Sequence, residues 1–323
     1  MSNQVRHGTL KESALILDGE TIAELSAVKP LQWLWAALCD WILILGAAAC
    51  FLMWPYWYVC LAAIAVIGNR QHALGVLMHD AVHYRVAGKR ACNDLLSDLI
   101  AGYLLFLPTS CYRAFHLPHH RYLDTPDDPE REFVRLFPGD LSFPQHPLRL
   151  LWTVVRDLSG LWPVGPLALA KVIWSPPGRQ RLHAIPVLLL HAAILTTAYF
   201  TGLLHVYFLL WITPLLTVFA ATFRIRGIAE HLGIEEAGPQ RYSRAQPEPL
   251  LTTRTMRGVV GGIVIAPHAV GYHLEHHLYP SVPFHNLPKL SGALLKKAPE
   301  QFAPRIRSSY SEAIAECLTT RRQ

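Results

Sequence analysis

The chain has 323 residues, 52% of them hydrophobic and only 16% charged, with a formal net charge of +6 and a mean hydropathy of +0.24. A soluble domain carries about 25% charged residues, so the deficit points to a membrane protein, and the positive balance suits a face held against anionic lipid. Lys and Arg do not gather into one basic module, so nucleic acid is not an expected partner; the six cysteines show no C-x-x-C spacing, hence neither a disulfide framework nor a cysteine metal site.

The first 20 residues hold no apolar h-region, so no cleavable signal peptide is expected. Within the polar segment 1–30, LILDGETIAELSAVKP predicts a short surface helix. Residues 31–53 form the first predicted span, long enough for a hydrocarbon core of roughly 30 Å. Asp40 inside it is costly in lipid and is expected to face protein or water. Trp33, Trp35, Trp54 and Trp57 crowd its two ends, as an aromatic belt does. The turn at Trp54-Pro55 sends residues 56–77 back across. Asn69, Arg70 and Gln71 indicate that this helix runs on past the bilayer into HDAVH, which carries His79 and His83.

Residues 93–110 are too short and polar to span, and read as an in-plane helix leading into HLPHH (His116, His119, His120). A crossing there would put the first two histidine groups on opposite sides of the bilayer. Residues 121–156 are polar and include DTPDDPERE; residues 160–174 are apolar but broken by Pro163 and Pro166, and read as interfacial. Residues 184–200 and 206–223 form a second hairpin of spans, stopped by Arg224 and Arg226, with His231 two turns on. A loop at 235–257 and an apolar lead-in at 259–269 precede GYHLEHHLYP, which carries His273, His276 and His277.

The expected fold is an all-α membrane protein: four transmembrane helices in two hairpins, with a cytoplasmic helical cap holding the histidine groups. It divides into an N-terminal segment 1–30, a membrane domain with the metal site at 31–295, and a C-terminal helical tail at 296–323. Neither hairpin tip (54–57, 201–205) carries Lys or Arg, whereas Lys29, Arg70, Arg85, Lys89, Arg90, Arg179, Arg181, Arg224 and Arg226 lie at the opposite ends. The positive-inside rule therefore places both termini and every histidine group in the cytoplasm.

Eight of the 17 histidines fall in the three compact groups. On a helix, His273 and His277 share a face, and His276 lies about 100° around from His277, a geometry for two adjacent ions. Imidazole alone does not choose among iron, zinc and copper. A zinc site is complete with four ligands, so eight or nine imidazoles suit two metals, and the apolar membrane setting favours iron and O2 chemistry.

HDAVH, HLPHH and HLEHH, in this order and spacing, resemble the histidine boxes of the membrane fatty acid desaturases, non-haem di-iron proteins, over residues 30–295. RIRGIAEH at 224–231 and YHLEHHLYPSVPFHNLPKL at 272–290 are similar to the bacterial members. The resemblance implies nine ligands: His79, His116, His120 and His276 on one iron, and His83, His119, His231, His273 and His277 on the other. It also implies O2-dependent formation of a double bond in a lipid-linked or carrier-linked acyl chain in a bacterial inner membrane, with two ferrous ions as cofactor and O2 as co-substrate. No HPGG-type haem motif is present, so electrons are expected from a separate ferredoxin or cytochrome b5/reductase-type donor. A hydroxylase or ketolase of the same group, acting on a lipid, carotenoid or specialised metabolite, is the alternative; a non-catalytic metal-binding membrane protein is a third reading. The three residues between the first two histidines match the acyl-lipid type. One departure is Gly227, where acyl-CoA relatives place an asparagine four residues before the lone histidine. Of the remaining histidines, His72, His268 and His285 read as structural, and His183, His191 and His205 as interfacial. Asp80, Asp94, Asp98, Asp124 and Glu275 are candidates to orient the imidazoles through their second ring nitrogen, or to serve as caps and surface groups.

Overall fold

The longest apolar runs become the longest helices. The computed structural model describes residues 16–130, 143–160, 182–232, 234 and 248–318. Helix α1 (Gly19–Leu25) is the short surface helix; its N-cap Asp18 accepts from the Thr21 N–H at 2.8 Å, the usual service of a short acidic side chain at a helix start. Helices α2 (Pro30–Met53) and α3 (Trp57–Val82) pack against each other. Trp33 is not part of an aromatic belt: it is buried, and its indole N–H donates to the Leu77 carbonyl at 3.0 Å. Trp35, Trp54 and Trp57 are exposed, as belt residues are.

The second half of α3 is almost entirely buried, so it leaves the apolar setting of the spans inside protein. Helix α4 (Arg90–Ser97) continues as a π-turn (Asp98–Gly102). Helix α5 (Thr109–Tyr122) then carries the second histidine group. Helix α6 (Pro147–Leu158) is followed, after 161–181, by α7 (Ala184–Phe200). The expected interfacial segment at 160–174, with Arg179 and Arg181, lies almost wholly outside the described residues, as does most of the expected loop at 235–257. Helix α8 (Leu204–His231) is one rod with two π-turns at Phe208–Ile212 and Leu215–Phe219.

Among the described residues, three helices, α2, α3 and α8, are long and apolar enough to cross a membrane; α7 is apolar but has 17 residues. Trp41 of α2 stacks on Trp211 of α8 at 5.8 Å, and the Gln71 amide donates to the Trp211 carbonyl. Gly68 lets α3 and α8 touch: a Cβ there would stand 2.6 Å from Val218 Cβ and 2.9 Å from the Pro214 carbonyl oxygen. Asp40 does face protein. Its two oxygens take the Arg70 guanidinium at 3.0 Å and the His268 imidazole at 2.7 Å.

After α8 come α9 (Val259–Val264), α10 (His273–Leu278), α11 (Leu287–Lys297) and α12 (Tyr310–Glu316). Two short strands, β1 (Thr255–Met256) and β2 (Ile306–Arg307), pair in parallel, with Thr255 opposite Ile306. Residues 302–318 pack into cores shared with earlier elements: Phe302 with Leu274 and Leu290, and Tyr310 and Ala313 with Val76 and Ala229.

Candidate metal centre

Four helices meet by their ends. Helix α3 delivers His79 from its last turn and His83 from its C-cap. Helix α5 delivers His116, His119 and His120 from its last two turns, and α8 ends on His231. The six-residue α10 is little more than the third histidine group itself. Because α3, α5 and α8 present their carboxyl ends, the negative ends of their dipoles favour a cation at the meeting point.

All nine histidines named from the sequence converge. His79, His83, His116, His120 and His276 place ring nitrogens within 4.8 Å of one another, as do His119, His231 and His277. His273 joins the second set, with Nε2 2.6 Å from His231 Nε2 and 3.1 Å from His277 Nε2. The sets touch where His120 stacks on His277 at 4.3 Å. His83 departs from the expected division: its ring lies 4.7 Å from His120 and 4.8 Å from His276, in the first set. It sits one turn after His79 on the same helix end, which points both rings one way.

Do these residues fit a metal pair? A ring nitrogen has one in-plane site, either a lone pair or an N–H. His120 Nε2 nevertheless faces both His116 Nε2 and His276 Nε2 at 2.9 Å, and His273 Nε2 faces two partners as well. Hydrogen bonds cannot satisfy these nitrogens together. His79 Nε2 and His83 Nε2 are buried with no hydrogen-bond partner. An ion shared by each set takes all these lone pairs at once. Burial first, then neighbouring imidazoles, hold His116, His120, His273, His276 and His277 well below the usual imidazole range. Burial also lowers His83, to about 3. Neutral imidazoles are what a metal binds, so the donor set fits.

His119 differs. Burial lowers it, but the Glu130 charge and the Asp128 hydrogen bond outweigh this, and its pKa is raised. Its Nδ1 lies 3.0 and 3.2 Å from the two Asp128 oxygens and 3.5 Å from Glu130. Asp128 is itself fixed by the Asp124 and Glu130 backbone N–H groups at 2.9 Å. A carboxylate behind an imidazole sets its tautomer and strengthens it as a ligand. On the other side, Glu230 Oε2 lies 3.4 Å from His273 Nδ1 but outside hydrogen-bond geometry, and that buried nitrogen has no hydrogen-bond partner.

Among the described residues, the carboxylates beside the imidazoles are thus Asp128, Glu130 and Glu230, which sequence reasoning did not single out. The five it named serve elsewhere. Asp80 accepts from the Phe284 N–H, Asp94 pairs with Arg113, and Asp98 accepts from the Thr109 N–H. Glu275 accepts from Thr255 and Ser291 hydroxyls, and Asp124 lends Asp128 its backbone. The available signal was adjacency: Glu230 directly precedes His231, and Asp128 sits in the acidic run after the second group. His72 is buried against Phe219, and His191 bridges Tyr207 and the Tyr103 carbonyl. Neither is in the cluster.

Membrane-length helices enclosing a buried histidine cluster of metal-binding geometry define a class of membrane metalloprotein candidates. A family model described as fatty acid desaturase matches residues 55–309; the chain belongs to the fatty acid desaturase family, a family of oxidoreductases. Among its relatives, the dihydrorhizobitoxine desaturase of Bradyrhizobium elkanii is 30% identical over 243 residues, 71% of this chain and 65% of that one. The sphingolipid delta(4)-desaturase/C4-monooxygenase of Homo sapiens is 26% identical over 301 residues, 88% and 80% of the two chains. A sphingolipid delta(4)-desaturase of Xenopus tropicalis is 26% identical over 271 residues, 81% and 66%. The chain spans less than two thirds of the first of these relatives.

Proposed function

We propose that the chain is an O2-dependent di-iron desaturase that introduces a double bond into a fatty acyl chain. The observation that carries this reading is the convergence of nine imidazoles, seven of them buried, whose ring nitrogens hydrogen bonds cannot satisfy. His79, His83, His116, His120 and His276 would hold one ion, and His119, His231, His273 and His277 the other. When bound, the two ferrous ions supply the O2 activation that removing hydrogens from two neighbouring carbons requires, with electrons from a ferredoxin or cytochrome b5/reductase-type donor. The chain's own part is to hold the imidazoles neutral, fix His119 through Asp128, and keep water from the site.

In this reading α7 is the fourth span, paired with α8 as α2 is with α3. The hairpin tips face outward, and both termini and the histidine cap lie on the cytoplasmic side of a bacterial inner membrane. The relative whose name carries both desaturase and C4-monooxygenase favours hydroxylation as a second reading, while the relative acting on dihydrorhizobitoxine widens the substrate class. Expression in a host with simple lipids, followed by mass spectrometry, separates them: loss of two hydrogens means desaturation, gain of one oxygen hydroxylation. Purified protein should hold two irons per chain and His231→Ala fewer; unchanged iron in that variant removes His231 from the ligand set.

A further inference from the structure

The C-terminal segment reaches back to the metal centre through one side chain, Tyr310. Its hydroxyl donates to Glu230 Oε1 at 2.9 Å. Glu230, 1% exposed, uses Oε2 to accept from the Arg226 Nε–H at 2.7 Å, and the same oxygen lies 3.4 Å from His273 Nδ1. The tyrosine thus pins one oxygen of the carboxylate that stands behind a candidate ligand.

The seat for the ring is built. Tyr310 is 4% exposed and packs among Val76, Ala229, Met256, Ala266 and Val270. A Cβ on Gly261 would come within 2.6 Å of Tyr310 Cδ2, and one on Gly271, two residues before His273, within 3.4 Å of its hydroxyl oxygen. Gly261 therefore leaves space the ring fills. The segment is clamped from both sides: β2 pairs with β1, and Arg254 bridges the Leu232 and Ala313 carbonyls and the Glu316 carboxylate. Burial and the Glu230 charge raise the phenol well above its ordinary value, so it stays a donor. The match to the family ends at residue 309, one residue before it.

We infer that Tyr310 is a positioning residue of the second metal subsite: it holds Glu230 Oε2 3.4 Å from the unpartnered His273 Nδ1, ready to take its N–H when the ring turns onto a metal. The inference rests on the di-iron reading above. Without the hydroxyl, Oε1 becomes a buried acceptor with no donor, which is unfavourable. The carboxylate is then free to turn both oxygens onto the Arg226 fork, the bidentate geometry a guanidinium prefers. That turn takes Oε2 out of reach of His273 Nδ1, so the ring has no carboxylate to orient it on a metal.

The test is Tyr310→Phe, which keeps the packed ring, in full-length protein stripped of metal in nanodiscs. Ferrous iron is added without oxygen, and its retention against a chelator is measured for each equivalent. Thermal melting is followed with and without iron. Loss of outer partners of ligand histidines typically weakens metal binding about 10–100-fold. The expected result is that loss at one of two equivalents, an unchanged melt without iron, and a smaller iron-dependent rise in melting temperature. Retention of both equivalents as in wild type overturns the inference. So does a lower metal-free melt with both equivalents weakened alike, since Tyr310 is then only structural. Wild-type protein that binds no iron defeats the di-iron reading instead.

Discussion

Replacing Asp40 with leucine should weaken the protein at a distance from the imidazoles. Asp40 is 1% exposed, and both of its oxygens are engaged, by Arg70 at 3.0 Å and His268 at 2.7 Å. Arg70 also donates to the Ile263 carbonyl at 2.9 Å. The cluster therefore ties α2 and α3 to the segment leading into α10. Removing one member of a buried ion pair typically costs about 3–5 kcal/mol, because the charge left behind is uncompensated. At on the order of 2 °C per kcal/mol for a chain of this size, the melting midpoint should fall by roughly 6–10 °C. The double variant Asp40→Leu with Arg70→Met should recover much of that loss, since no orphan charge remains. The assay is thermal unfolding of purified protein in nanodiscs. A fall below about 1 kcal/mol, the range of exposed pairs, or a double variant no better than the single one, would refute the reasoning.

Three further outcomes follow from the structure. Gly68→Val should push α3 and α8 apart, since its Cβ alone meets Val218 Cβ at 2.6 Å; overpacking of this kind costs about 1–3 kcal/mol, read as a lower melting midpoint. Asp128→Asn should lower iron retention about 10–100-fold by removing the charge behind His119, and should lower the metal-free melt as well, because one amide oxygen cannot replace the two that accept the Asp124 and Glu130 N–H groups. His285 lies at about 4, held down by burial and then by Lys29 and Lys289. Its folded value is below its unfolded one, so above about pH 6.5 it contributes nothing, and below that the unfolded chain takes up a proton the folded chain refuses. Acid should therefore destabilise the protein between about pH 6.5 and 4, and His285→Gln should flatten that slope in melting curves taken across the window.

The parts of the fold readable in the sequence are those in which one residue type carries the whole signal. Uninterrupted apolar runs announced α2, α3 and α8, and the paired spacing of histidines announced which rings would converge. Tertiary partners were harder to read. Trp33 sits at a span end like its neighbours, yet it is buried because the Leu77 carbonyl across the helix pair offers its N–H a partner. The amphipathic α6 was hidden in a stretch that looked merely polar. Its exposed Leu148, Leu151, Trp152 and Val155 lie three and four residues apart, with Leu150 and Asp157 buried behind them.

The carboxylates of the centre show the same limit in sharper form. From spacing alone, Glu275 inside HLEHH looks a better orienting group than Glu230, since it lies between the ligands. On a six-residue helix, however, Glu275 points away from the rings flanking it, and it is spent on Thr255 and Ser291. Glu230 is adjacent to His231 yet lies beside His273, a residue 43 positions on. A carboxylate can reach the second nitrogen of a ring only from behind it, and that direction is set by how separate helix ends abut. A ligand belongs to its own helix; the group that orients it belongs to a neighbour. For that reason the histidines that converge could be read from the local motifs and the resemblance they carry, and the carboxylates beside them, Asp128 and Glu230, could not.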